Sequence, residues 1–267
     1  MHALVSILSL FPLGCASYIV FSYAFVVAGR PRAPLGAIAR SAALELFVTL
    51  TLLPFWPLWM LVGGAYETAE EGGEGEPPRR PIILLHGFLL TQTSWLVLGH
   101  RLRRRGVGPL YATTYWSLQP VRASAEQLAA FVDEVRARHG AERVDIIAHS
   151  MGGVVARYFL ERLGGAARLG RLITIASPHK GTLMGRYGLV AGARDLVADS
   201  ALLSELAAPR PGLPYTSIWS RSDSVILPQA SSSIAPAGED CVFDDLGHLS
   251  LLASRRVTDA IVERLRK

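Results

Sequence analysis

Cysteine is scarce: two in 267 residues, Cys15 inside a long apolar run and Cys241 far from it. A disulfide scaffold is therefore excluded, and the redox compartment is left open. Basic residues are missing from the N-terminal tip, where a cleaved secretory leader carries them. No internal repeat is present, which excludes solenoids and propellers. His86, His149, His179 and His248 lack the short spacings to acidic partners that a metal site needs, so no metal and no cofactor is expected. Aromatic residues do not interleave with the basic ones, so the net charge of +5 and the run RLRRR at 101–105 do not indicate nucleic acid. That run reads as a solvated helix face, with contact to anionic lipid headgroups as the alternative.

Apolar sequence, by contrast, is abundant: half the residues are hydrophobic and mean hydropathy is +0.30. Residues 3–28 carry no charge, and 44–66 carry only Glu45. Each is long enough to cross ~30 Å of hydrocarbon as a helix, so 1–66 is expected to be a membrane anchor of two transmembrane helices. The connector GRPRAPLGAIAR holds Arg30, Arg32 and Arg40 and no acid. The positive-inside bias puts it in the cytoplasm and both chain ends on the other side, as in a bacterial inner-membrane protein with an extracytoplasmic catalytic domain. Residues 67–80, ETAEEGGEGEPPRR, are expected to be a flexible acidic linker.

From residue 81 to 267 short apolar runs alternate with amphipathic stretches. Strands are expected at 81–87, 110–116, 143–149, 171–177, 215–220 and 240–243. Helices are expected at 124–140, 151–165, 195–207 and 250–267. Such alternation predicts an α/β domain: a mostly parallel central sheet with helices on both faces, and functional groups at the carboxyl ends of its strands.

Ser150 stands at one such end, directly between a strand and a helix in VDIIAHSMGGVVARYFLERL, 144–163. A corner this tight forces its central residue into a strained conformation and needs small neighbours, here Ala148, Gly152 and Gly153. A plain helix N-cap would explain the serine alone. The strand before it and the small residues around it point instead to a nucleophile presented beside the free N–H groups of a helix N-terminus.

Four motifs then fall in order: LLHGF (84–88), AHSMGG (148–153), ASPHKGT (176–182), and SRSDSVILP (220–228) with DDLGHLSLL (244–252). In these the chain resembles the α/β-hydrolases, within them the bacterial triacylglycerol lipases and esterases with a small core. Ala148 departs from the glycine of the general G-x-S-x-G pattern.

A serine hydroxyl needs a base, and the base an orienting carboxylate. The resemblance implies the chain order Ser, Asp, His, which selects Ser150, Asp223 and His248. Asp244 and Asp245 remain the alternatives to Asp223, with turn formation as their other role. It also implies an oxyanion hole from the backbone N–H groups of Phe88 and Met151, with His86 holding the oxyanion loop by hydrogen bonding. Only 37 residues separate Ser177 from Tyr215, leaving little room for a cap domain. An open cleft with Leu89, Leu90, Leu183 and Met184 would accept apolar acyl chains, although Leu183 and Met184 fit a core equally well. The expected activity is hydrolysis of a carboxylic ester or lipid through an acyl-enzyme on Ser150. An acyltransferase or thioesterase using the same triad, and a non-catalytic interaction protein on a hydrolase scaffold, are the alternatives. The sequence leaves the oligomeric state open.

Overall fold

The structure is a computed structural model that describes residues 17, 19–29, 35–52, 66–68, 80–188, 190–206 and 212–267. Among the described residues, seven strands form one sheet in the order β1-β3-β2-β4-β5-β6-β7. They are β1 Tyr66–Thr68, β2 Ile82–Leu85, β3 Leu110–Thr113, β4 Val144–His149, β5 Leu169–Ile175, β6 Tyr215–Ser220 and β7 Glu239–Phe243. All neighbours are parallel except β1, which runs antiparallel to β3 at the edge.

Side chains on a strand alternate between faces, and β2 divides its four between two cores. Ile83 and Leu85 join one cluster; Ile82 and Leu84 join the other. The helices, in chain order, are α1 (19–29), α2 Leu35–Leu52, α3 Leu96–Arg103, α4 Val121–His139, α5 Met151–Arg162, α6 Ala191–Arg194, α7 Ala201–Glu205, α8 Ser250–Ala253 and α9 Arg255–Arg266. Leu128, Val132 and Val135 of α4 and Val154, Val155, Phe159 and Leu160 of α5 cover the first face, while Leu98 and Leu102 of α3 and Val257 and Ile261 of α9 cover the second. Helix α4 stops at Gly140, whose φ of 56° closes it in the left-handed conformation that glycine adopts without strain. The helix expected at 195–207 is shorter and later: Ser200 caps α7 by accepting from Leu203 N, and a separate α6 precedes it. The expected helix at 250–267 divides at Ser254 into α8 and α9. Arginines of the 101–105 run find partners within the fold, Arg101 on the Ala253 carbonyl and Arg105 on Asp259.

The N-terminal expectations require correction where residues are described. Residues 3–16 and 53–65, most of the two expected spans, lie outside the described residues. Among the described residues, no helix is long and apolar enough to cross a membrane. Ile19, Tyr23 and Val26 of α1 pack against Ile38 of α2 in a small core of their own. Tyr23 and Glu45 also approach Gly247 of the catalytic domain, where an added Cβ would lie 2.7 Å from the Tyr23 hydroxyl and 2.8 Å from Glu45 Cδ. Arg40 precedes Glu45 by about 7.5 Å of helix, a fraction of the ~30 Å hydrocarbon. Arg40 thus lies less than two helical turns from Glu45 on α2, and Arg30 and Arg32 lie outside the described residues. Within the expected linker, 67 and 68 belong to β1, because an open sheet edge offers backbone partners to any strand that reaches it.

Candidate active site

Ser150 joins β4 to α5 with φ 53° and ψ −126°, a left-handed conformation that a non-glycine residue adopts only under constraint. Its N–H donates to Ile175 O at 2.8 Å, tying the corner to β5. The small residues around it have tight causes. A Cβ on Gly152 would meet the His86 carbonyl and lie 2.7 Å from Leu85 O; on Gly153 it would strike the Ser177 side chain; on Gly87 it would lie 2.9 Å from Ser150 Cβ. The loop after β2 is thus held directly against the corner.

That loop is braced by His86. Its Nδ1 lies 2.8 Å from Gly87 O, Nε2 accepts from Tyr115 N at 3.2 Å, and its ring stacks on Tyr115 at 4.4 Å. A carbonyl on one nitrogen and an N–H on the other assign the neutral Nδ1–H tautomer. Burial pushes the pKa down to about 4, against the Gly87 hydrogen bond, so the ring stays uncharged. The Phe88 and Met151 amides have no acceptor among the described residues. Leu89, at φ 54°, donates its N–H to Ser117 Oγ at 3.0 Å.

Asp223 follows β6 and is 1% exposed. Oδ1 accepts from Val225 N at 2.8 Å and Ile226 N at 2.9 Å, and Oδ2 lies 2.9 Å from Nδ1 of the buried His248. Burial pushes the His248 pKa down, but the charge and hydrogen bond of Asp223, with the charge of Glu45, outweigh it and raise the pKa above 6.5. The His149 ring lies 4.7 Å from that of His248, and its Nε2 is 3.2 Å from His248 O. This bond, made by the residue before Ser150, fixes the histidine loop over the corner. Burial first, and then the His248 charge, push the His149 pKa well down, so its ring stays uncharged. Asp244 and Asp245 are engaged elsewhere, with Arg221 at 2.8 Å and Arg256 at 2.8 Å, both on the surface.

Beside the loop after β2 lies a cavity of about 470 Å³. Leu89 and Leu90 line it together with Tyr115, Trp116, Ser117 and Leu118. Leu183 and Met184 are not among its lining residues; they sit on a short 3-10 turn, Leu183–Tyr187, with Leu183 43% exposed. The segment 115–118 was not singled out from sequence, since nothing in it is chemically distinctive; its position after β3, neighbour to β2, is the signal that finds it. Glu45 was noticed only as the lone charge of an apolar run, yet a lone charge in such a run is itself a pointer to function.

A sequence profile of the class 2 lipases matches residues 79–248, well over half of the chain. The chain belongs to this family. Among curated relatives of this class 2 lipase, a triacylglycerol lipase of Burkholderia plantarii is 29% identical over 156 residues, 54% of this chain and 42% of that protein. One of Pseudarthrobacter phenanthrenivorans is 32% identical over 116 residues, 39% of this chain and 34% of that protein. The match thus spans less than half the length of these relatives. Solved structures of similar fold include Bacillus licheniformis lipase BlEst2 in its mature form, with a TM-score of 0.66 and 13% identity over 76% of this chain and 98% of that one. A membrane phospholipase A gives a TM-score of 0.53 and 16% identity over 84% of this chain and 96% of that one. At such identities the likeness shows the fold, an α/β-hydrolase with a mostly parallel sheet.

Proposed function

We propose that this class 2 lipase hydrolyses carboxylic esters, with lipids as its substrate class, through an acyl-enzyme on Ser150. The observation that carries the reading is the 2.9 Å contact between His248 Nδ1 and Asp223 Oδ2, both buried at strand ends, with His149 tying the histidine loop to the strained Ser150 corner. With Nδ1 committed to Asp223, His248 has Nε2 free to take the Ser150 proton as Oγ attacks the ester carbonyl. The Phe88 and Met151 amides would donate to the oxyanion, and the positive end of α5 favours its charge. His248 then returns the proton to the leaving alcohol, and repeats both transfers with water to release the acid. The cavity at Leu89 and Leu90 is open to an apolar acyl chain.

The N-terminal pair extends the reading to a bilayer. Val20 and Phe21 of α1 and Leu35 and Phe47 of α2 are between 52% and 72% exposed, large apolar side chains left uncovered on the pair that abuts the catalytic domain. We place the domain on the same side of that bilayer as Arg40. By the positive-inside bias this is the cytoplasmic face. A reporter fused to the C-terminus reads the side directly: fluorescence of a cytoplasmic fusion is expected, and activity of an exported reporter would reverse the assignment.

The principal test uses the full chain with p-nitrophenyl esters of graded chain length, glycerophospholipids and a fluorophosphonate probe. Ser150→Ala is expected to abolish both turnover and labelling while the circular dichroism spectrum is kept. Labelling that survives the substitution would sink the nucleophile.

A further inference from the structure

Glu45 of α2 is 2% exposed, and its carboxylate reaches into the catalytic domain. Oε1 accepts from Leu249 N at 2.6 Å and Oε2 from Ser250 N at 2.9 Å. These are the two amides that follow His248, at the start of a helical turn where backbone N–H groups have no intrahelical acceptor. On the other side of His248, Gly247 is hemmed in by Glu45 and by Tyr23, whose hydroxyl is 2.8 Å from Ser41 Oγ. The N-terminal pair therefore grips 247–250, the segment that carries the base.

We infer that Glu45 is a positioning residue for His248: Asp223 fixes the imidazole ring, and Glu45 fixes the backbone that presents it. This rests on the reading that His248 activates Ser150. The groups facing His248 are Asp223 from the loop after β6, Glu45 from α2 and the uncharged His149 of β4, with the Tyr23 hydroxyl of α1 against Gly247. Asp223 thus contacts the imidazole and Glu45 the two amides beside it; burial raises the Glu45 pKa, while those hydrogen bonds and the His248 charge oppose that rise. Burial works against the protonated ring, and the charges of Asp223 and Glu45 both favour it. Glu45 lies outside residues 79–248, the span shared with the family.

The test uses the full chain and Glu45→Gln, which keeps the shape but removes the charge and sets an NH2 against one of the two amides. The His248 imidazole titration by NMR is expected to move to lower pH, and the acid limb of Ser150 labelling by fluorophosphonate to move with it. The plateau labelling rate and kcat should fall on the order of tenfold to a hundredfold, as displacements near 1 Å do, with KM nearly unchanged. Labelling is counted per finally labelled site, so that unfolded molecules do not enter. Glu45→Asp keeps the charge but shortens the reach: it should lose rate while the titration stays near that of the unaltered protein. If Glu45→Gln does not fold, a full rate from Glu45→Asp overturns the proposal. An unmoved titration in Glu45→Gln also overturns it, reducing Glu45 to a structural cap whatever happens to the rate. Should the unaltered protein take no fluorophosphonate, the ester hydrolase reading falls, and the NMR titration still decides on Glu45.

Discussion

At the scale of single residues, the three acids near the end of the chain are separated by their partners. Asp223 is buried, spends one oxygen on two backbone amides and offers the other to His248. Asp244 and Asp245 are spent on surface arginines, pairs that solvent and salt reduce to little. Asp223→Asn is therefore expected to lower kcat on the order of 10⁴-fold, since it disrupts the tautomer and the charge behind it. Asp244→Asn and Asp245→Asn should stay within a few-fold, and a comparable loss from either would move the acid. The raised pKa of His248 sets the pH profile. A base must be neutral, so activity falls as pH drops through the folded pKa, and the acid limb of kcat/KM should lie above 6.5. A limb below that value would contradict the pairing. Asp223 was legible in sequence because it stands just after an apolar strand. Glu45 was not, because its partners are 204 and 205 residues away and its apolar flanks read as a span border.

At the scale of elements, the chemistry depends on how closely β2, β4 and α5 approach at one corner. Gly152→Ala places a methyl against two backbone carbonyls that cannot rotate away. The expected cost is about 1–3 kcal/mol of stability, with a slower reaction because the His86 loop must shift. A urea midpoint equal to that of the unaltered protein would mean the corner yields more easily than its contacts imply. The strands were legible as apolar runs, and the tight corner as a lone serine among small residues. The helix expected at 195–207 was less so: Ser200 is a capping residue inside the apolar pattern, and local capping overrode periodicity. The cavity at 115–118 was not legible, because it is created by the proximity of two loops whose strands pair only in the folded sheet.

At the scale of the whole molecule, the alternation of strand and helix foretold the mostly parallel sheet with helices on both faces, while most of the two apolar runs read as spans lies outside the described residues. Apolar length alone does not report what a helix packs against, and here Glu45 and Tyr23 stand against Gly247. The interior also holds His86, His149 and His179, all pushed by burial below 6.5. The unfolded chain protonates these rings as pH falls below 6.5, while the folded chain resists, His86 down to about 4. Each contributes a slope near 1.4 kcal/mol per pH unit in that window, in the direction of lower stability at lower pH. His248, with its raised pKa, is protonated in both states below 6.5 and adds no slope there. The urea midpoint should fall clearly between pH 7 and pH 5, and a flat profile would show that the three rings are hydrated.

The brace on the histidine loop bears on how such a protein can be divided. Ser150, Asp223 and His248 all lie within residues 79–248, so a graft of the recognisable family segment onto another N-terminal segment would transplant every group proposed to react. It would leave behind Glu45 and the edge strand β1. If Glu45 positions the base, the inheritable unit of chemistry in this chain is longer than the unit of resemblance.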